Sequence, residues 1–512
     1  MEIFGSLWAG FATTLAPGNI LIVFLGVVIG TVIGVLPGLG PTASIALLLP
    51  ATVGMDMISS LIFLAGIYYG AMYGGSTTSI LVNIPGEAAS VITCIDGYQM
   101  ARRGRAGAAL GMAAFGSFIG GTLGVLAVML ISPFLAEAAL KFGAPEMFAL
   151  LLFAFTCIGC LVGKSVARGL LMAALGLLLG VVGTDDIHGV DRFTFGTLYL
   201  RDGIGLVPLA MGLFGLGEIF FNIEQREKTG SVLTVPKNLL PTRKDWQESF
   251  WPILRGSGLG FAIGVLPGGM PAVASLMSYA VEKRVSKHPE RFGTGAVEGV
   301  AGPETANNAA TAGGFVPLLT LGIPTNSVLA LLLAALMLHG VTPGPLLLLK
   351  WPHVFWGVIA SMYIGNMMLL ILNLPLIGIF VQLLRIPYAI LSPLIIMFVL
   401  LGAYALNNSI TDVFMTLCFG VLGYLLRRFA FEPAPLVLAF VLGPMMEVNL
   451  SKSLIMFGTG NPLYFFTRPI SGVLLALALA VLFSPLLRQL GKRVFRGCGK
   501  FISSRRNRDQ GL

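Results

Sequence analysis

Apolar runs of membrane-spanning length recur along the chain and are divided by short polar loops. Runs near 107–131, 145–163, 169–186 and 204–222, and again near 353–379, 388–406, 410–426, 433–448 and 470–488, fit spanning helices. Basic residues mark alternate loops. "QMARRGRAG" (99–107), "KSVARG", the stretch 223–250 and "VEKRVSKHPERFG" (281–293) read as cytoplasmic, and "TDDIHGVDRFTFGTLYLRDG" reads as outside.

Four segments do not read as simple helices. "GVLPGLGPTASIALLLPAT" and "YGGSTTSILVNIPGEAASVITC" lie in the first half. "GVLPGGMPAVASLMSYA" and "AGGFVPLLTLGIPTNSVLALL" lie in the second. Each sets Gly and Pro inside apolar sequence. An unsatisfied backbone group in hydrocarbon costs several kcal/mol, so broken backbone at membrane depth survives only against protein or a wet cavity. Re-entrant hairpins or discontinuous helices are predicted at all four.

The four segments form two pairs. Gly34 and Gly264 open the first pair, 230 positions apart. Gly74-Gly75 with Ile84-Pro85 and Gly313-Gly314 with Ile323-Pro324 form the second, 239 apart. Two motifs at nearly one offset point to a duplication. The loops after equivalent segments carry complementary charge. "ATVGMDM" has no basic residue where "VEKRVSKHPERFG" has four, and "QMARRGRAG" has three where "LHGVTPGPL" has none. The two halves are therefore expected to face opposite sides, as an inverted-topology repeat does, with a binding site near the midplane. The expected organisation is a first repeat over 1–222, a cytoplasmic linker over 223–252, a second repeat over 253–488 and a basic cytoplasmic tail over 489–512. The fold class expected is an all-α polytopic membrane protein with roughly 10–12 spans.

Composition agrees. Of 512 residues 56% are hydrophobic and 11% charged, against about 25% charged in soluble domains. The net charge of +9 sits in loops and tail, which speaks for positive-inside retention and against nucleic acid. Five cysteines (Cys94, Cys157, Cys160, Cys418, Cys498) include one CxxC, within a span and without a second pair, so no metal site is read there. The start "MEIFGSLWAGFATTL" lacks a basic n-region and reads as uncleaved. HExxH, GxSxG and a Walker lysine are missing, so no enzyme is expected.

Broken helices offer free N–H groups to anions and free carbonyls to cations. The expected substrate-binding set is Gly38, Thr42, Ser76, Thr77, Thr78, Asn83, Pro85, Gly86, Pro324, Thr325, Asn326 and Ser327. The expected cation-coupling set is Gly75, Ser79, Glu304, Thr305, Asn307, Asn308 and Thr311, whose neutral oxygens suit a sodium ion. Glu87 and Glu304 are the acidic residues nearest the breaks, and ionisable groups within a membrane are functional candidates by default. They are the candidates for carrying a proton instead.

The two GVLPG segments, "GIYYGAMYGGSTTSILVNIPGEAASVITCIDGYQMARRG" and "FGTGAVEGVAGPETANNAATAGGFVPLLTLGIP" together resemble the large membrane subunit of bacterial tripartite tricarboxylate transporters over nearly the whole chain. The resemblance implies a secondary transporter of the inner membrane, with its C-terminus cytoplasmic. It would work with a small membrane subunit and a periplasmic binding protein that delivers a carboxylate such as citrate. It implies no cofactor beyond a coupling ion, commonly sodium. By motif it carries over Pro37, Gly38, Gly74 to Asn83, Pro85, Glu304, Asn307, Asn308 and Pro324. Uptake by alternating access is the reading. An exchanger or permease for another small organic anion, and an anion channel, are the alternatives.

Overall fold

The computed structural model describes residues 2–36, 39–161, 165–185, 187–225, 238–341, 343–383, 386, 388–458, 461 and 463–483. Among them, eight helices are long and apolar enough to cross a membrane, and five shorter helices are apolar as well. The expected ten to twelve spans thus resolve into full-length and half-length helices, because the Gly/Pro breaks cut several short. The only strands described are β1 (Gly183–Thr184) and β2 (Asp191–Arg192), an antiparallel ribbon in the loop expected outside. The chain is an all-α polytopic membrane protein.

In the first half, α1 (Glu2–Thr14) leads to α2 (Pro17–Val35), which starts on a proline whose missing N–H is not needed there. The chain leaves α2 extended at Leu36 and restarts at Pro41 as α3 (Pro41–Leu48). Asp56 then caps α4 (Met57–Val82) by accepting the Ser59 N–H at 3.1 Å. Asn83, in the left-handed region at φ 61°, ends it. A short turn, Ala88–Ser90, feeds α5 (Val91–Met100), and a π turn kinked at Gly104 joins α5 to α6 (Ala106–Ala139). α7 (Ala144–Leu161), α8 (Val166–Gly180), α9 (Leu206–Ala210) and α10 (Gly217–Gln225) complete the half, the last two joined by a π turn, Met211–Leu216.

The second half opens with α11 (Arg243–Val265), capped reciprocally by Thr242 and Asp245, and breaks at Leu266 before α12 (Pro271–Val285). α13 (Glu298–Gly313) and α14 (Phe315–Leu321) end at Gly322, left-handed at φ 72°, and α15 (Ser327–Leu338) follows. Next come α16 (Leu347–Lys350), α17 (Pro352–Asn373), α18 (Ile377–Leu383), α19 (Tyr388–Asn407), α20 (Ile410–Arg428), α21 (Ala434–Phe457), α22 (Tyr464–Thr467) and α23 (Pro469–Phe483).

Two sets of glycines hold the cores of the halves together. Gly26, Gly30 and Gly34 set the face of α2 against the α4 backbone at Phe63, Ile67 and Ala71. Gly256, Gly260 and Gly264 set α11 against the α13 backbone at Gly302, Ala306 and Ala310. The glycines recur at an offset of 230 and their facing residues at 239, the offsets of the two motifs. A Cβ at any of them would press into backbone, which is how small residues let membrane helices close up.

Each half also lends helices to the other. α6 packs along α13, and α17 packs along α4. α7 and α8 hold α21, while α20 holds α10 and its π turn. α4 is therefore enclosed by protein nearly throughout, although it is long and apolar enough to face lipid. α19 and α20 turn Leu394, Phe398, Leu401, Phe414 and Val421 outward, as a hydrocarbon-facing surface requires. At one end of the bundle Asp96 on α5 accepts N–H groups of Gly293 (2.9 Å), Gly295 (2.6 Å) and Ala296 (2.9 Å) from the loop after α12. Arg105 Nη2 meets Asp245 Oδ1 at 2.5 Å beside it. Elsewhere Ile58, at the start of α4, lies against Gly357 at the start of α17.

Candidate functional site

The tips of the broken segments surround a cavity of about 290 Å³. Its wall includes Pro41 and Thr42 at the start of α3, Pro271 and Ala272 at the start of α12, Ser327 and Val328 at the start of α15, Ala88 and Ala89 in the turn before α5, and Ala434 at the start of α21. Helix starts leave their first N–H groups without intrahelical partners and carry positive partial charge. Five such starts at one cavity make an environment suited to an anion.

Two caps organise the rim. Glu87 Oε2 accepts the Ala89 N–H at 2.6 Å, and Ser90 Oγ accepts the Glu87 N–H in return. Glu87 Oε1 is buried and has no partner. Asn326 Oδ1 accepts the Leu329 N–H at 3.0 Å, and its Nδ2 donates to the Tyr68 hydroxyl at 3.2 Å. The Thr42 and Ser327 hydroxyls meet at 3.1 Å across the cavity, joining the two halves. The lining also includes charged residues. Arg427, in the last turn of α20, donates from Nη2 to Glu218 Oε2 of α10 at 3.2 Å, and Glu432 stands in the turn before α21.

A second polar cluster is fully enclosed. Glu304 of α13 accepts hydrogen bonds from Thr93 of α5, from Ser76 of α4 at 2.7 Å, from Ser117 of α6 at 3.3 Å and from Asn307 at 3.4 Å. One carboxylate thus ties four helices, and none of these donors is cationic. Asn308 Nδ2 donates to the Glu304 carbonyl at 3.1 Å and to Asn307 Oδ1 at 2.5 Å, which leaves Asn308 Oδ1 buried and unpartnered. The cluster and the cavity adjoin along α4, where Met72 lines the cavity one turn before Ser76. Gly75 packs against the side chain of Glu87 at the cavity, and the next residue, Ser76, holds Glu304.

The candidates from sequence therefore divide between two places. Thr42, Pro85, Gly86, Asn326 and Ser327 line the cavity. Ser76 and Thr77 face a void of about 10 Å³ beside Ser117 and Tyr73, and Glu304, Asn307 and Asn308 form the cluster. Thr78 and Ser79 bond back to the Gly75 carbonyl at 3.3 and 3.0 Å. Thr305 bonds the Ala301 carbonyl at 2.7 Å, and Thr311 bonds the Asn307 carbonyl at 2.9 Å. Asn83 is exposed, at the end of α4. Pro324 is buried in the link before Asn326. Thr325 accepts the Gly268 N–H on its carbonyl at 3.0 Å, which brings the second GVLPG turn to the second GG…IP turn. Pro37, Gly38 and the tail 489–512 lie outside the described residues. Sequence reasoning missed Tyr68, Thr93, Ser117, Glu218, Arg427 and Glu432. Only Arg427 carried a signal, as a basic residue at the end of a span.

Three comparisons bear on this arrangement. Residues 20–438 match the model of the "Tripartite tricarboxylate transporter TctA family". The chain is 50% identical over 498 residues, 97% of its own length and 99% of the relative's, to a protein of Agrobacterium vitis described as an uncharacterized 52.8 kDa protein in the TAR-I ttuC' 3' region. It is 52% identical over 228 residues, 44% of its length and 94% of the relative's, to an Agrobacterium vitis protein described as lying in the TAR-II ttuC' 3' region. No solved structure matches. With the family model covering most of the chain, this protein belongs to the tripartite tricarboxylate transporter TctA family.

Proposed function

We propose that this subunit is the ion-coupled permease of the inner membrane, taking up a tricarboxylate by alternating access from a periplasmic binding protein, with a small membrane subunit beside it. The observation that carries the reading is the cavity where the helix starts of both halves converge. Its volume, about 290 Å³, is at the lower end of the range for small-molecule sites and suits a small organic acid.

Electrostatics favours coupling. A helix start supplies about half an elementary charge at most. Glu87, Glu218 and Glu432 also line the cavity, with Arg427 as the one cation among its described residues. A substrate with up to three negative charges needs cations with it. The Glu304 cluster, with the unpartnered Asn308 Oδ1 and its ring of hydroxyl and amide oxygens, is the proposed place for one of them, a sodium ion or a proton.

Opposite orientation of the two halves is part of the proposal. In a parallel repeat the loop after α5 would lie beside its equivalent after α15. Instead α5 holds the loop after α12 through Asp96, Arg105 in the turn after α5 holds the start of α11 through Asp245, and the starts of α4 and α17 meet elsewhere. That is the adjacency an inverted repeat produces.

The test is uptake of labelled citrate by cells expressing the three subunits together. Accumulation against a gradient, lost when the binding protein is omitted, is the expected result. Full uptake without the binding protein removes the tripartite reading, and uptake that never exceeds equilibrium makes the chain a channel.

A further inference from the structure

Among the described residues, Arg427 is the one cation lining the cavity, with Glu87, Glu218 and Glu432 as its carboxylates. The Nε/Nη2 edge of a guanidinium is the edge that grips a carboxylate with two parallel hydrogen bonds. Here that edge is half used: Nη2 donates to Glu218 Oε2 at 3.2 Å, while Nε is buried without a hydrogen-bond partner. Glu432 lines the same cavity. The pair is only partly buried, with side-chain exposures of 23% and 19%. The pair is held by one hydrogen bond only, at the cavity wall. A substrate carboxylate that engages both Nε and Nη2 competes well with it.

Resting on the cavity reading above, we propose that Arg427 changes partners in the transport cycle: the substrate carboxylate takes the guanidinium from Glu218, and the released Glu218 binds a further coupling cation, in addition to the one at the Glu304 cluster. The charge balance requires the second step. When Arg427 pairs with substrate, Glu218 is left without its cationic partner, with Glu432 and Glu87 lining the same cavity. A monovalent cation, sodium or a proton, restores the balance. Substrate and cation then bind in support of each other, without any direct contact between them. Tyr68 also lines the cavity.

Initial-rate uptake of labelled citrate by cells carrying the complete transporter tests the exchange, with sodium and external pH varied in separate arms. Arg427→Gln is expected to raise KM for citrate at least tenfold at saturating cation, and Arg427→Lys to recover part of the loss. Glu218→Gln is expected to shift the half-saturating cation concentration at least fivefold, in the sodium arm or in the pH arm, which identifies the ion. Arg428→Gln is the control, because Arg428 is exposed and bonded to Tyr424 at 2.7 Å, away from the cavity. It is expected to leave both constants within twofold. If Arg427→Gln does not reach the membrane, Arg427→Gln with Glu218→Gln removes both charges together and is read instead. A citrate KM within twofold of wild type in the Arg427 variant overturns the exchange, as does an unchanged cation dependence in Glu218→Gln. Wild-type cells that take up no citrate overturn the substrate reading itself, and the exchange with it.

Discussion

Glu87 and Asn326 stand 239 residues apart and occupy the same structural position. Their backbones agree within a few degrees, at φ −150°, ψ 168° and φ −148°, ψ 172°. Each side chain accepts a backbone N–H from the first turn that follows, and each lines the cavity. One carries a carboxyl group and the other an amide, so two matched caps differ in chemistry.

That asymmetry can be removed. Asp caps a helix about as well as Asn, so Asn326→Asp is expected to keep thermal stability close to wild type. It places a further negative charge against an anionic substrate and should raise KM for citrate roughly tenfold, equivalent to about 1.4 kcal/mol. Asn326→Ala instead loses the cap, at about 1 kcal/mol. Thermal unfolding and uptake measured on the same variants separate the two effects.

The glycine faces give a stability prediction. Gly260→Ala sets a methyl group into the α13 backbone at Ala306, and Gly30→Ala does the same to α4 at Ile67. Each is expected to destabilise by about 1–3 kcal/mol, the usual penalty for overpacking. Gly258, on the same helix as Gly260, has open space where its Cβ would lie, so Gly258→Ala should leave the unfolding temperature unchanged or raised. Equal effects at 258 and 260 would mean that α11 and α13 do not close on each other as described.

The Glu304 cluster predicts where ion dependence resides. Asn308→Ala removes the unpartnered Oδ1 and should raise the half-saturating sodium concentration about tenfold, with citrate KM at saturating sodium within about twofold. Uptake that ignores sodium and follows a pH gradient would assign the cluster to a proton on Glu304. Glu304→Ala strands the donors of Thr93, Ser76 and Ser117. At about 1–3 kcal/mol for a buried unsatisfied group, it is expected to reduce the amount of folded protein in the membrane.

Orientation of the halves can be read by labelling. Arg103, Lys287 and Lys350 are all exposed. Cysteines at 103 and 287 should react only from the cytoplasm, and one at 350 only from outside. Labelling of 350 and 287 from the same side contradicts the inverted repeat.

Much of this was legible in the sequence because the breaks carry Gly and Pro, residues that an apolar helix keeps only for a reason. The helix starts at Pro41 and Pro271, and the caps at Asn326 and Glu87, follow from local rules. The division of the polar residues between two sites did not follow. Ser76 and Glu87 flank one motif, yet Ser76 bonds Glu304 while Glu87 lines the cavity, and only the packed structure decides which group meets which partner. Arg427 was hidden for another reason. It lies far downstream of the motifs, at a span end where an arginine normally marks only the cytoplasmic side, and it reaches the cavity because α20 packs against α10 of the other half. The glycine spacing on α2 and α11 was present in the sequence, but its meaning rests on the offset shared with the facing residues.

The central claim is that substrate sits among the helix starts of both halves. The most direct measurement is a structure of the transporter in lipid discs with bound citrate. The account predicts citrate density in the cavity between Thr42, Glu87, Pro271 and Asn326, with one carboxylate on Arg427. Citrate density at the Glu304 cluster, or outside the space between the broken helices, would contradict it.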